Sequence, residues 1–251
     1  MKYDLENINA RFGIGSQKWQ EMKNNPLVDE KVIPFSVADM EFKLAPEITE
    51  GLKKFIDDNI LGYAGTNKKY RESVCKWQQK HHDFTVDEKW LVETHSVVNA
   101  FFTAVKAFTQ KGDGVMLFTP VYYPMYKAIE INQRKLVEIP LINNGMTYDI
   151  DWDLFTKKAK AIDTKMLILC SPHNPCGRIW TREELTKISE ICLVNDILVV
   201  ADEIHADLIM PGFKHVSYGT ISKEALEHSI ICTAPSKTFN LAGMQLSNVF
   251  I

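Results

Sequence analysis

The residues best suited to covalent chemistry in this chain are a lysine, a carboxylate and an amide, each following a short apolar run. Lys237 stands in Ala234-Pro-Ser-Lys-Thr-Phe-Asn-Leu-Ala-Gly243, behind Ser229-Ile-Ile-Cys-Thr233. Asp202 opens Asp202-Glu-Ile-His205 directly after Ile197-Leu-Val-Val-Ala201, and Asn174 lies in Ser171-Pro-His-Asn-Pro-Cys-Gly177 after Met166-Leu-Ile-Leu-Cys170. If the apolar runs are strands of an open α/β sheet, all three residues fall at carboxyl ends, where such sheets bind ligands. A carboxylate leaving an apolar strand is costly to bury unless it gains a partner. Flanking prolines stiffen the turn around Asn174, which suits a ligand contact. Each residue also has a plain structural reading, as a solvated loop lysine, a helix-capping acid and a turn-shaping amide. Their joint occurrence is what favours a site.

A lysine, an acid and a hydrogen-bond donor on one sheet edge are the groups that pyridoxal 5′-phosphate (PLP) requires. The lysine forms the Schiff base, the acid keeps the pyridine nitrogen protonated, and the donor serves the phenolic oxygen. The phosphate then needs a helix N-terminus, and His95-Ser-Val-Val98 supplies one, with Ser96, Val97 and Val98 at its start. Tyr122, just past Thr119-Pro120, would cover the ring face; its bland alternative is a core aromatic near a strand end.

These residues need a scaffold, and the chain after Trp90 alternates short apolar runs with amphipathic stretches. Strands are expected near 91–94, 115–118, 135–138, 166–170, 197–201, 230–233 and 247–251. That alternation predicts an α/β fold, a three-layer αβα sandwich around a mostly parallel seven-stranded sheet. Ser96 is placed to cap a helix carrying Val97, Phe101 and Val105, and Thr181-Arg-Glu-Glu184 has the form of a capping box. Upstream, Ile48, Leu52, Phe55 and Ile56 share one helical face after Pro46, and Tyr70, Val74 and Trp77 share another, with a turn at Gly62-Tyr-Ala-Gly65 between them. The first forty residues show no sustained periodicity and read as an irregular arm, and Pro140 to Thr147 reads as a surface loop. The expected division is an arm and part of a small domain over 1–45, then a large cofactor domain over 46–251.

Composition narrows the class of function. With 251 residues, 45% of them hydrophobic, a substantial core is available. A net charge of -3 argues against a general nucleic-acid binder and for small-molecule work. The five cysteines are scattered without metal-like spacing, so no metal site is expected, and they point to reduced thiols in a cytoplasm. Met1-Lys-Tyr-Asp-Leu-Glu lacks the apolar core of a leader, and no apolar run reaches the ~20 residues of a spanning helix, so no membrane partner is expected.

Taken in order, Ser171-Pro-His-Asn-Pro-Cys-Gly177, Asp202-Glu-Ile-His205 and Ser236-Lys-Thr-Phe-Asn-Leu-Ala-Gly243 resemble the fold-type-I PLP enzymes of aminotransferase class I and II. Arg11-Phe-Gly-Ile-Gly-Ser-Gln-Lys-Trp19 and Pro34-Phe-Ser-Val-Ala-Asp-Met40 are similar to the bacterial C-S lyase branch, which includes cystathionine β-lyases and the maltose-regulon modulator. The resemblance implies Lys237 as the covalent anchor, Asp202 as the pyridinium partner, Asn174 as the phenolic-oxygen donor and Tyr122 as the stacking ring. It implies Ser236 with Ser96, Val97 and Val98 around the phosphate, and His205 as a second donor or a structural histidine. Tyr63 resembles the tyrosine that reaches the phosphate of a neighbouring subunit, which implies a homodimer.

Gly243-Met-Gln245 has an amide where aminotransferases usually carry an arginine, as in the C-S lyase branch. The implied activity is α,β-elimination from cystathionine or related cysteine S-conjugates. An aminotransferase is the alternative enzyme, and a regulatory binding protein on the same scaffold is the alternative of another class. The family continues into a small C-terminal domain bearing a carboxylate-binding arginine, so a chain stopping at Ile251 is expected to be truncated, with its own amino-acid binding and turnover badly impaired.

Overall fold

The apolar runs of the second half pair into one sheet in the computed structural model of the chain, which describes residues 3–28 and 32–251. Met1 and Lys2, which open the segment read as leaderless, lie outside the described residues, as do residues 29–31 of the expected arm. The strands are β1 (Leu91–Thr94), β2 (Gly114–Thr119), β3 (Lys135–Pro140), β4 (Ile142–Asn143), β5 (Tyr148–Asp149), β6 (Thr164–Cys170), β7 (Leu198–Asp202), β8 (Ser229–Thr233) and β9 (Ser247–Phe250). The helices are α1 (Gln17–Lys23), α2 (Pro46–Asp58), α3 (Lys68–His82), α4 (Val97–Phe108), α5 (Tyr123–Ile131), α6 (Trp152–Ala159), α7 (Arg182–Val194), α8 (Lys223–Glu227) and α9 (Pro235–Thr238).

Seven strands form the main sheet in the order β1-β9-β8-β7-β6-β2-β3. β9 runs antiparallel to both β1 and β8, while β8, β7, β6, β2 and β3 pair parallel. Because side chains alternate between faces, a strand covered on both sides must be apolar throughout. β2 shows this: Met116 and Phe118 enter one core with Leu167, Trp180 and Phe250, while Val115 and Leu117 enter the other with Phe101, Met125 and Ile168. Residues of α6 and α7 supply the first core, and residues of α4 and α5 the second. The expected three-layer arrangement follows, with strand limits within two residues of those expected.

Capping agrees with the sequence. Ser96 Oγ accepts from Asn99 N at 3.1 Å at the start of α4. At the start of α7, Glu184 N donates to Thr181 Oγ1 at 3.2 Å while Thr181 N donates to Glu184 Oε2 at 2.8 Å. The segment expected as a loop after Pro140 is instead a short hairpin, β4 paired with β5. Its turn is made by Asn143 and Asn144, whose side chains accept from Gly145, Met146 and Thr147, with Gly145 in the left-handed region at φ 87°.

The arm is also less irregular than expected. α1 buries Lys18, Trp19 and Met22. Lys18 Nζ lies 2.8 Å from both Asp39 Oδ1 and Glu41 Oε2, and Arg11 reaches Asp39 at 2.9 Å and Glu41 at 2.7 Å. Trp19 Nε1 adds a hydrogen bond to Glu41 at 2.8 Å. This network ties α1 to the stretch leading into α2, which itself has its expected apolar face but buries no residue.

Candidate active site

The sheet order brings distant segments to one edge. β6, β7 and β8 are parallel neighbours, so the residues at or just beyond their carboxyl ends, Asn174, Asp202 and Lys237, emerge side by side. Tyr122 follows the carboxyl end of β2 on the same edge, and antiparallel β9 delivers Gln245 and Leu246 there from its amino end. These groups line one cavity of about 530 Å³, a size suited to a small organic ligand. Ser96, Val97, Val98, His205 and Ser236 line it too. Of the residues singled out from sequence for the site, Tyr63 alone stands away from it, fully exposed beyond α2.

Three polar side chains at this cavity, Asp202, Asn174 and Tyr122, are short of partners among the described residues. Asp202 is 4% exposed, and among the described residues its carboxylate accepts one hydrogen bond, from Ile204 N at 3.2 Å. Burial pushes its pKa up to about 7, with Glu203 adding to the rise while the Ile204 N–H and Lys237 oppose it. Neither the carboxamide of Asn174 nor the hydroxyl of Tyr122 hydrogen-bonds to a described residue. At the start of α4, the N–H groups of Val97 and Val98 have no acceptor in their own helix and carry its positive dipole end.

Lys237 and Ser236 lie on α9, one turn of helix beginning at Pro235. Lys237 Nζ donates to Ala38 O at 2.8 Å. Burial lowers its pKa, against the pull of Asp39 and Asp202. His205 is shifted down as well, by burial first and by Lys237 second. The cavity therefore combines an amine with a lowered pKa, an acid with a raised one, and a helix N-terminus. That set can hold an anion at one end and protonate or deprotonate a ligand at the other.

The sequence matches the family Aminotransferase class I and II over residues 30–251. The chain belongs to the aminotransferase class I and II family. Cystathionine beta-lyase PatB of Bacillus subtilis (strain 168) is 40% identical over 241 residues, covering 96% of this chain and 62% of that protein. The crystal structure of cystalysin from Treponema denticola, which contains a pyridoxal 5′-phosphate cofactor, matches with TM-score 0.98 and 46% identity, over 100% of this chain and 64% of that one. The PLP-bound C-S lyase from Staphylococcus hominis matches with TM-score 0.91 and 30% identity, over 100% and 63%. The chain thus spans a little under two thirds of the length of these relatives.

Within this family fold, the front wall of the cavity comes from a segment that sequence reasoning used only as a branch marker. Phe35, Val37 and Ala38 line it, and Val37 sits in the left-handed region at φ 60°. Asn240 fastens this segment by accepting from Met40 N and donating to Met40 O, both at 3.0 Å. Tyr123, Gln17 and Cys170 also line the cavity without having been singled out. The motif Pro34-Phe-Ser-Val-Ala-Asp-Met40 marked the branch and gave no sign that its residues face the cavity.

Proposed function

We propose that this cavity holds PLP and that the protein uses it to break carbon-sulfur bonds by β-elimination. One observation carries the reading: a buried carboxylate with a single hydrogen-bond donor among the described residues, an amine on the next strand end and a helix N-terminus converge on one cavity. PLP supplies what each lacks. Asp202 would pair with the protonated pyridine nitrogen, which relieves a buried charge. The N–H groups opening α4, with Ser96 and Ser236, would hold the phosphate; Asn174 and His205 would face the phenolic oxygen; Tyr122 would lie against the ring.

When bound, PLP supplies an electron sink for charge developing at the substrate's α-carbon. The chain's part is to place a base beside that carbon and to fix the ring's charge. Lys237 Nζ, with its pKa lowered by burial, would be the covalent anchor for the cofactor and, as a neutral amine, would accept the α-proton. Gln245 lines the cavity and contributes an amide without a charge. The similar proteins named for cystathionine β-lyase and C-S lyase activity support thiolate departure from the β-carbon of cystathionine or a related conjugate as the outcome, giving pyruvate and ammonia.

A second copy of the chain belongs to the same reading. α2 buries no residue although its apolar side chains share a face, and Tyr63 and Phe35 are almost wholly exposed. A homodimer would cover them and bring Tyr63 to the partner's phosphate. The free state of all five cysteines supports a reducing, cytoplasmic setting, and no helix among the described residues is long and apolar enough to cross a membrane. The division into an arm over 1–45 and a cofactor domain over 46–251 belongs to this proposal too.

The test is the visible spectrum of the full-length protein with PLP, before and after borohydride, in wild type and Lys237→Ala. Wild type should show a cofactor band that reduction fixes to residue 237, and Lys237→Ala should lose the covalent adduct altogether. Cystathionine should then yield pyruvate and thiol without a keto acid. A protein that takes up no PLP, or whose turnover depends strictly on a keto acid, would sink this reading.

A further inference from the structure

Lys237 rides on α9, which has one turn, no side-chain N-cap and no fully buried residue. Little within the element itself fixes where its amine stands. Apart from the Ala38 carbonyl that Nζ reaches in the front wall, the contacts that hold the helix lie on the side away from the cavity. Thr238 Oγ1 donates to Asp207 Oδ2 at 2.5 Å, and Phe239 packs edge-on against Trp77 with ring centroids 5.2 Å apart. Asp207 is held in turn by α3: Trp77 Nε1 donates to Oδ1 at 3.1 Å, and His82 Nε2 lies 2.7 Å from the same oxygen. His82 is 7% exposed, so this carboxylate binds a buried ring on one side and the lysine helix on the other. Burial alone would raise the Asp207 pKa, but the donors His82, Thr238 and Trp77 outweigh it and hold the group below its usual value.

Asp207 and Asp202 belong to one tight turn after β7. Ala206 N donates to Glu203 O at 3.0 Å, Leu208 N to His205 O at 3.0 Å, and Glu203 N reaches across to Cys232 O at 2.8 Å. One end of this turn offers Asp202 to the cavity, while the other grips the helix that carries Lys237. Building on the reading of Lys237 as cofactor anchor, we propose that Asp207 is a positioning residue: through Thr238 it sets where the Lys237 amine stands relative to Asp202.

The test uses Thr238→Val, which removes the hydroxyl at constant shape, Thr238→Ser, which keeps it, and Asp207→Asn, which keeps an acceptor and removes the charge. In the full-length protein, PLP affinity is read by titration of the visible band, and ring orientation by circular dichroism in that band. Amide hydrogen exchange at residues 236–239 is measured separately without cofactor. Losing a hydrogen bond to a charged group should weaken PLP binding about tenfold in Thr238→Val. Visible dichroism should fall while the far-ultraviolet signal stays, and exchange at 236–239 should quicken. Thr238→Ser should restore all three, and Asp207→Asn should fall between.

Wild-type affinity and visible dichroism in Thr238→Val would overturn the proposal. If Thr238→Val loses its far-ultraviolet signal, Asp207→Asn carries the same comparison, and wild-type affinity and dichroism there overturn the proposal equally. If wild type itself binds no PLP, the cofactor reading falls and exchange alone judges the positioning role. Faster exchange at 236–239 that Thr238→Ser reverses then supports it, and unchanged protection rejects it.

Discussion

The cavity side and the α3 side of the turn after β7 each present an aspartate, one buried and one half-buried, and the two have opposite surroundings. Asp202 has one backbone donor at 3.2 Å and a pKa pushed up to about 7 by burial. Asp207 collects donors from Trp77, His82 and Thr238, and its pKa is held down despite burial. A carboxylate whose hydrogen-bonding capacity is filled by the protein is part of the frame. One left short of partners is waiting for a ligand that brings a proton or a positive charge. The same contrast separates the N-terminal cluster of Lys18, Arg11, Asp39 and Glu41, whose charges pair with one another, from the opening of α4 and the Asn174 carboxamide, which has no partner among the described residues.

The largest effect that would break this comparison is at Asp202. Its pKa is raised in the folded chain, so the native state holds the proton more tightly than the unfolded state does. Its contribution to stability is therefore fully present below the ordinary carboxylate range and is lost as pH rises through about 7. Asp202→Asn cannot ionise. Without cofactor, the variant should match wild type near about pH 4 and exceed it near about pH 8, by up to about 4 kcal/mol. With PLP the order should reverse, because the amide cannot neutralise a pyridinium. Urea unfolding at the two pH values, with and without PLP, measures both. A wild-type chain no less stable than Asp202→Asn near about pH 8 without cofactor would mean that Asp202 is already paired.

A smaller effect is expected in the internally paired cluster. Lys18→Met removes a buried cation from between Asp39 and Glu41, leaving Arg11 as the ion-pair partner they still share among the described residues. Breaking a buried pair costs about 3 kcal/mol. The loss should be local first, seen as faster amide exchange across residues 35–41, which form the front wall and carry the Ala38 carbonyl bound to Lys237. Protection unchanged in that segment would show that Arg11 and Trp19 hold the front wall without Lys18.

How much of this could be seen in the sequence follows from the distance over which each signal acts. The buried strands declare themselves locally, since apolar residues on both faces make continuous runs such as Met166-Leu-Ile-Leu-Cys170. The site was legible because parallel order places the residue after each run at one edge, so three short motifs sufficed to collect Asn174, Asp202 and Lys237. α1 escaped because it has 7 residues and one of its inward positions is Lys18, which no hydrophobic period records. The hairpin of β4 and β5 escaped because its strands have two residues each. Asp207 gave no sign because Trp77 and His82 lie 130 and 125 residues away along the chain. Nothing near it in sequence distinguishes a hub from a solvated acid.

The smallest effect belongs to Tyr122, where the comparison can be sharpened within one side chain. Its ring lines the cavity, half-buried and 5.4 Å from the Tyr123 ring centroid, and burial raises the pKa of its hydroxyl, with Tyr123, Asp202 and Cys170 adding to the rise. The hydroxyl has no partner among the described residues to lose, so Tyr122→Phe should leave stability without cofactor within about 0.5 kcal/mol of wild type. If the ring serves as a stacking surface, Tyr122→Phe should also keep PLP affinity, whereas Tyr122→Ala should lose about 1 kcal/mol of it, roughly a fivefold change. Titration of the visible band separates the two variants. Equal losses in both would move the role from the ring to the hydroxyl, and would place Tyr122 with Asp202 and Asn174 among the polar groups that the ligand completes.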